Sequence, residues 1–323
     1  LFDMDVCSAS HYDGATALAE ACAAAQRVNN KSKILYSAGL HPHYKEVLKT
    51  YLKHTPGLKL EEVPLKNGTL DLDALQEKLT PDTACFAVAG PNFFGQLEPL
   101  EDIAALTHGA GALLVSVAKP LALALVHTPG QYGADFSVAE GQVLGNAMNF
   151  GGPGLGIFTC KKEYVRQVPG RIVGIAKDKD GKRSFVLTLQ AREQHIRRER
   201  AASNICSNQA LCALNAVIYL TLLGYAGLRE VAELNLEKAH RLKDMLLSDG
   251  HKLKFNGPFF NEFVLELNAP AKQVIKKLAK KGIAAGFDLG LVSKELKNCL
   301  LVCATETKTE ADLQKYVDAM RGF

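Results

Sequence analysis

The sequence predicts a large α/β domain around a mainly parallel sheet, followed by a small C-terminal α+β domain. Short apolar runs alternate with stretches of helical spacing over the first two-thirds of the 323 residues. Such alternation is typical of parallel sheets covered by helices. The rhythm changes after a long helical stretch, beyond which the strands and helices are fewer and shorter. We therefore predict a large domain at residues 1–230 and a small domain at residues 231–323.

The elements of the large domain are predicted from short apolar runs, which indicate strands, and from the helical spacing between them. A further helix, rich in alanine, is expected after the loop that begins at Ser8. The predicted strands are Ile34–Ala38, Leu58–Val63, Ala84–Ala89, Ala112–Ala118, Asp135–Ala139 and Leu155–Cys160. The predicted helices are His43–His54, Leu72–Leu79 and Leu100–His108.

The remaining elements lie beyond a polar stretch, Lys177–Arg183, whose turn chemistry predicts a surface excursion. A long helix is expected to start near Ser203–Ser207, where hydroxyl and amide side chains can cap it, and to run to about Leu223. Gly224 is predicted to end this helix. The elements that follow are the helix Leu228–Leu247, the strand Phe263–Leu267, the helix Ala271–Lys280, the strand Leu300–Ala304 and the helix Glu310–Met320.

Composition excludes few classes of function. Apolar residues make up 47% and charged residues 22% of the chain, which is ordinary for a globular protein. The net charge of +4 is spread along the chain, so we predict no nucleic-acid partner, and an acidic protein partner would fit this charge equally well. We expect no apolar stretch to reach the roughly 20 residues that span a bilayer, and hence no membrane association.

The first residues indicate whether the chain is a piece of a longer protein, and the cysteines indicate the cellular compartment. Residues 1–6 have neither an initiator Met nor the basic and apolar regions of a signal peptide, so we expect that the N-terminal portion is missing. The eight cysteines form no CxxC pair and have no histidine at zinc-site spacing. This usage fits a reducing cytoplasm. His41 and His43 flank a proline and make a poor metal site, so no metal is predicted.

The first loop that could bind a ligand is Ser8–Glu20. Its small and hydroxylated residues lead directly into the alanine-rich helix. A helix N-terminus offers unpaired N–H groups and the positive end of a dipole, which suit a phosphate. The alternative interpretation is an ordinary capped helix.

Two further glycine-bearing loops follow predicted strands. In Ala89–Asp102, Asn92 is placed to meet a ligand oxygen beyond the end of a buried strand, or else it only fixes the turn after Pro91. Asn149–Gly156 is rich in glycine, which indicates either close approach to a ligand or a tight bend. It is neither a Walker A loop nor a dinucleotide fingerprint.

Taken together, these segments resemble glycine decarboxylase, the P-protein family of the glycine cleavage system. Members are pyridoxal-phosphate (PLP) enzymes of the aspartate-aminotransferase fold, fold type I. The resemblance covers essentially the whole chain. Some members of the family are divided into two homologous subunits, of which only the second carries PLP. This chain is similar to the first of them. The most specific matches are Ser8–Ala21, Gly133–Gln142, Asn149–Gly154 and Gln194–Glu199.

The resemblance also implies which positions have lost catalytic residues. PLP catalysis needs a lysine for the covalent link and an acidic partner for the pyridinium nitrogen. Counting back from Pro153 reaches Gln142 at the lysine position, and counting back from Pro129 reaches Ser116 at the aspartate position. No catalytic residue is therefore expected in this chain. The vestigial cofactor pocket is expected at Ser8, Ser10, His11, Tyr12, Asn92, Gly151, Gly152 and Gly154.

The activity implied by the resemblance is decarboxylation of glycine and transfer of the aminomethyl group to lipoyl H-protein. The implied assembly is an α₂β₂ heterotetramer with the second subunit, which binds PLP covalently. A charged stretch before the long helix either holds acidic groups of that partner or only solvates the surface. Its arginines are Arg192, Arg197, Arg198 and Arg200.

Two other classes of protein stay open. The first is an independent PLP-dependent aminotransferase or decarboxylase that uses Lys119 or Lys161. Against it, no Asp or Glu occurs between Asp102 and Asp135, where the pyridinium partner should lie. The second is a structural or regulatory protein that keeps the fold as a scaffold.

Overall fold

The computed structural model describes residues 1–205 and 209–323. These residues form two compact units. The first consists of Leu1–Pro64, Leu70–Gly90 and Pro99–Gly224. The second consists of Leu65–Thr69, Pro91–Glu98 and Tyr225–Phe323. Two short segments from the first third of the chain thus group with the second unit. The domain boundary predicted at residue 230 stays a prediction.

Within residues 1–205, seven strands form the main sheet, in the order β1-β9-β8-β7-β6-β2-β3. The pairs from β3 through β2, β6 and β7 to β8 are parallel, whereas β9 is antiparallel to both β8 and β1. The predicted fold class of a mainly parallel sheet with helices is thus confirmed. The strands of this sheet are β1 Val6–Cys7, β2 Lys33–Ser37, β3 Lys59–Val63, β6 Thr83–Gly90, β7 Leu113–Ala118, β8 Phe136–Glu140 and β9 Gly156–Cys160. Strands β4 Leu65–Lys66 and β5 Thr69–Leu70 pair with each other as a separate two-stranded sheet.

Helix α1, Gly14–Asn29, packs against the centre of this sheet. Its buried face consists mainly of alanine, which allows the helix to approach strands that carry Phe136 and Phe158. Asp13 caps the helix through a capping box with Thr16, a contribution of about 1 kcal/mol to helix stability. The other helices of the first unit before residue 205 are α2 Pro42–Leu52, α3 Leu72–Lys78, α4 Leu100–Gly109 and α5 Gln194–Arg197.

The stretch predicted as a surface excursion is the turn of a β-hairpin. Strands β10, Ile172–Lys177, and β11, Arg183–Thr188, pair in antiparallel register as a separate two-stranded sheet. The apolar side chains on one face of this hairpin are exposed. We call this set the ribbon face: Val173, Ile175, Phe185 and Leu187.

The long helix α6 spans Ala210–Ser248 and contains one break. At Gly224 the backbone has φ 61° and ψ −168°, so the predicted helix end is confirmed as an interruption. The start lies later than expected from Ser203–Ser207, a stretch that falls partly outside the described residues. Before the break, a stripe at helical spacing is exposed. We call it the helix face: Leu211, Leu214, Ile218 and Leu222.

One helix bears on the prediction that no segment spans a membrane. Among the described residues, α6 is long and apolar enough to cross a membrane by length and composition. No side chain of residues 210–228 is charged, although Asn, Thr and Gly interrupt the apolar run. The uninterrupted segment before Gly224 spans only about 21 Å, short of the roughly 30 Å hydrocarbon core of a bilayer. An apolar surface of the protein is therefore the better interpretation of this helix.

The second unit is a small α+β fold. Its sheet has the order β12-β13-β15-β14 and is antiparallel throughout. Two helices, together with α6 beyond Gly224, supply the other side of its core, which includes Leu265, Val302 and Leu313. The elements are β12 Lys252–Leu253, β13 Glu262–Glu266, α7 Ala271–Ala279, β14 Phe287–Asp288, β15 Cys299–Cys303 and α8 Glu310–Met320.

Candidate functional site

The N-terminus of α1 meets the end of β8 at the carboxyl edge of the parallel strands. Ligands of open α/β sheets bind at this edge. The N–H of Gly14, the first residue of α1, donates to Glu140 Oε2 at the end of β8 over 3.0 Å. A Cβ on Gly14 would lie 2.8 Å from the Glu140 nitrogen, so only glycine allows the helix to start so close to the strand. We call the α1 N-terminus, the end of β8 and the loop 141–155 the α1–β8 site.

The Glu140 carboxylate is the centre of this site. Besides the α1 amide, its Oε1 accepts from the N–H of Gln142 over 2.9 Å and from the N–H of Leu155 over 2.7 Å. Both ends of the loop 141–155 are therefore bound to one side chain. A Cβ on Gly154 would lie 3.0 Å from Glu140 Oε2, which explains the glycine there.

A second carboxylate lies at the same helix end. Asp13 Oδ1 accepts from the N–H of Thr16 over 2.7 Å. Burial, and secondarily the negative charges of Glu140 and Asp13, raise the pKa of the Tyr44 phenol. Tyr44 is therefore neutral near pH 7. The predicted phosphate site at the start of α1 is thus surrounded by acidic and neutral groups.

The first predicted loop folds inward beside this site. His11 forms a bridge with Gly156 at the start of β9 and stacks on Phe158, with ring centroids 5.0 Å apart. Its Nδ1 lies 3.0 Å from Ser8 Oγ. Burial lowers the pKa of His11 to about 4, so the ring is neutral. Within the described residues, His11 Nε2 and Ser10 Oγ have no hydrogen-bond partner.

A cavity of about 420 Å³ opens beside Ser8 and Ser10. Its other walls are mostly apolar and include Leu155, Ile157 and Leu220. The loops predicted from Ser8 and from Asn149 therefore meet in the structure, since Tyr12 and Asp13 lie against Gly154. The Tyr12 side chain is half-buried.

Two of the predicted glycines lie elsewhere. Gly151 and Gly152 have φ values of 114° and 159°, and a Cβ on Gly151 would meet nothing within 4 Å. Gly151 is exposed and Gly152 is half-buried, in a part of the loop that also carries the solvent-exposed side chains of Met148 and Phe150. The described structure thus gives them no close approach to a pocket of this chain.

Asn92 belongs to the second compact unit. Its amide nitrogen donates to Gly68 O and Glu98 Oε1, and its amide oxygen accepts from the N–H groups of Phe94 and Gln96. All hydrogen-bonding positions of the amide are therefore used. This favours the interpretation that Asn92 fixes a turn.

At both positions where the resemblance implies a lost catalytic residue, the side chain makes an internal contact. Gln142 Nε2 donates to the carbonyl of Asn146 over 2.7 Å. Ser116 is fully buried in β7, and its hydroxyl lies 2.6 Å from the Tyr132 hydroxyl. A glutamine amide cannot form an imine, and a serine cannot hold a pyridinium proton by charge.

The alternative lysines differ in position. Lys161 follows the antiparallel strand β9, and its ammonium binds Asp135 over 2.6 Å at the edge opposite the α1–β8 site. Burial acts to raise the pKa of Asp135, but hydrogen bonds from His108, Lys161 and the Leu114 N–H outweigh it and lower the pKa. Lys119 follows β7 at the carboxyl edge.

The arginine stretch is only partly exposed. Arg192 donates to the backbone carbonyls of Val168 and Gly170, the latter over 2.6 Å. Its guanidinium therefore holds the chain after β9. The other three side chains, those of Arg197, Arg198 and Arg200, are exposed.

His41 has a structural contact. Its Nδ1 accepts from the N–H of His43 at the start of α2. In the part of the chain that the structure describes, no group of three or more His, Cys, Asp or Glu side chains is arranged for a metal ion.

Comparison with known proteins gives one consistent family. The sequence profile described as glycine cleavage system P-protein matches residues 1–320. A probable glycine dehydrogenase (decarboxylating) subunit 1 from Anoxybacillus flavithermus is 49% identical over all of this chain and 72% of its own length. The protein of the same description from Moorella thermoacetica is 52% identical over all of this chain and 73% of its own length.

Solved structures agree with the sequences. A crystal structure of glycine decarboxylase (P-protein) of the glycine cleavage system, in inhibitor-bound form, superposes with a TM-score of 0.93 at 44% identity. It covers 99% of this chain and 72% of that one. A NifS-like protein superposes with a TM-score of 0.69 at 13% identity over 98% of this chain and 80% of that one, which shows the fold alone. These matches confirm the fold type I prediction.

Proposed function

The chain belongs to the glycine cleavage system P-protein family, and we propose that it is the first, non-catalytic subunit of glycine dehydrogenase (decarboxylating). In this role it supports the oxidoreductase reaction of the complex, in which glycine is decarboxylated and the aminomethyl group passes to lipoyl H-protein. The second subunit binds PLP covalently, and the two form an α₂β₂ heterotetramer in the cytoplasm. The free thiols of the cysteines among the described residues suit that compartment.

The observation that carries this proposal is the poor fit between the α1–β8 site and PLP. The cofactor has an anionic phosphate and needs a lysine. At the helix end where a phosphate would bind, the carboxylates of Glu140 and Asp13 already accept hydrogen bonds from the backbone N–H groups of Gly14 and Thr16. Gln142 stands where the resemblance implies lysine. These residues do not fit the cofactor, so this chain contributes no PLP chemistry of its own.

The exposed apolar surfaces support a partner subunit. The ribbon face belongs to a two-stranded sheet, which alone is marginally stable in water. Its pairs Val173–Leu187 and Ile175–Phe185 present apolar side chains to solvent. The helix face is a second exposed apolar stripe. Exposed apolar patches of this kind mark protein interaction sites, and we assign both to the second subunit.

The first test separates the subunit from an independent enzyme. We expect no imine absorption band after incubation of the isolated chain with PLP, because Gln142 cannot form the covalent link. Borohydride reduction of a mixture with the second subunit, followed by mass mapping, should place the pyridoxyl group on the second subunit alone. Glycine decarboxylation should require both chains. A pyridoxyl adduct on Lys119 or Lys161 would instead support the independent enzyme.

The second test addresses the docking surfaces. Ile175→Asp and Leu214→Asp each place a charge in the centre of one face and should weaken binding of the second subunit at least about tenfold. Lys179→Asp is the control, because it puts an aspartate on the exposed hairpin turn outside both faces and changes the net charge by two units, more than either test variant. Isothermal titration calorimetry measures the affinity. Unchanged binding by both aspartate variants would contradict the assignment.

A further inference from the structure

We propose that Glu140 is an internal anion ligand. Its carboxylate occupies the position at the α1 N-terminus that a phosphate would take. It thereby closes this chain to phosphate-bearing ligands and fixes the loop 141–155. The inference concerns the isolated chain and does not depend on the partner subunit.

The first step of the argument is the set of N–H groups at the helix end. The first N–H groups of an α-helix have no partner within the helix. At α1 the Gly14 N–H donates to Glu140 and the Thr16 N–H donates to Asp13. Asp13 is the local cap that many helices have. Glu140 is not local, since it lies 126 positions further along the chain.

The second step is the convergence of donors on Glu140. Three backbone N–H groups, those of Gly14, Gln142 and Leu155, point at its two oxygens over 2.7–3.0 Å. They come from a helix and from both ends of a loop. Helix N-termini and convergent backbone amides are the elements from which proteins build anion sites. Here a side chain of the same molecule supplies the anion.

The third step is the space around the carboxylate. A Cβ on Gly14 would collide with the Tyr44 hydroxyl and the Glu140 backbone, and one on Gly154 would crowd Glu140 Oε2. The site is therefore shaped to let the helix, the loop and the carboxylate approach closely. Removal of the side chain beyond Cβ leaves the three N–H groups directed at a space where a small anion fits.

The test uses the full chain and inorganic phosphate. Glu140→Ala should lower the melting temperature by several degrees, since three N–H groups lose their acceptor. Phosphate at about 50 mM should return at least about half of that loss, because a ligand that binds only the folded state stabilises it. The wild type should not respond to phosphate beyond the effect of sodium chloride at equal ionic strength.

Two variants serve as controls. Glu140→Gln keeps the shape of the side chain but turns a donor toward the amides, so it should be destabilised and phosphate should not rescue it. Glu46→Ala removes an exposed carboxylate on α2 with the same change in net charge, and should show neither effect. A purely space-filling role for Glu140 predicts no rescue of the alanine variant, and that result would overturn the proposal.

A measurement on the wild type covers the case in which Glu140→Ala does not fold. Phosphate titration followed by NMR should leave the amide resonances of Gly14, Gln142 and Leu155 in place, because the carboxylate already holds them. A saturable shift of the Gly14 resonance would show that an external anion displaces Glu140 or binds beside it. That outcome would refute the closed site and remove the phosphate part of the argument against PLP. The proposed role as first subunit would then rest on Gln142 and on the pyridoxyl mapping, which tests it separately.

Discussion

His11 is a buried neutral residue whose protonation opposes folding. Its pKa of about 4 in the folded chain lies below the value of about 6.5 of an unfolded chain. The unfolded state therefore binds more protons between these values, and stability falls as the pH drops from 6.5 toward 4. The loss attributable to His11 between pH 7.5 and pH 5 is about 2 kcal/mol.

The prediction for His11 is tested with His11→Gln. Urea unfolding of the wild type and the variant at pH 7.5 and pH 5 gives two differences in free energy. We expect the wild type to lose about 2 kcal/mol more than the variant, because the variant has no proton to bind at this position. Equal losses would mean that the ring is accessible to protons in the folded state.

Gly156 is fixed by the residues that cross it. A Cβ there would lie 2.5 Å from the Asp13 carbonyl oxygen and 2.5 Å from His11 Cβ. We expect Gly156→Ala to lower the free energy of unfolding by about 2–4 kcal/mol through overpacking. The control is Gly109→Ala at the end of α4, where a Cβ meets nothing within 4 Å. It should change stability by less than about 1 kcal/mol.

At the scale of elements, α6 is two helices joined at Gly224. The combination φ 61° and ψ −168° is open to glycine and strained for any other residue. Gly224→Ala should therefore cost about 1–3 kcal/mol, measured by chemical unfolding, although no neighbour lies within 4 Å of the added Cβ. An increase in stability would show that the alanine variant adopts a continuous helix.

The hairpin β10–β11 is one of the elements that sequence reasoning missed. We predicted a surface excursion because Lys177–Arg183 has turn chemistry, and that turn is present between the strands. The flanking strands were not recognised because glycine and exposed apolar residues interrupt the usual alternation. The apolar side chains of the ribbon face are exposed, so the strands lack the contact with a core that normally sets the alternating pattern.

At the scale of the whole molecule, the central sheet and the small α+β fold could be predicted. Buried strands such as Thr83–Gly90 are continuous apolar runs, and α8 has the bounds Glu310–Met320 that we predicted from spacing. Thr309 and Asp312 form a capping box there, a signal that the sequence carries locally. Local signals of this kind predict elements well.

The candidate site was less accessible to sequence. Glu140 lies in the motif Gly133–Gln142, as an acidic residue directly after a buried strand, and that position could have marked it. Its contact with Gly14 joins distant parts of the chain, which no local pattern contains. The roles of Ser8, Ser10 and His11 in a vestigial pocket stay a prediction, although the structure brings these residues together.

The exposed ribbon face has a consequence for the degradation of this protein in a cell. If the second subunit covers this face, as we propose, a copy of this chain made in excess of that subunit would display its apolar side chains. Chaperones and proteases act on chains with such exposed surface. Unassembled copies should therefore turn over faster than assembled ones, and the cellular amount of this subunit should follow the synthesis of its partner.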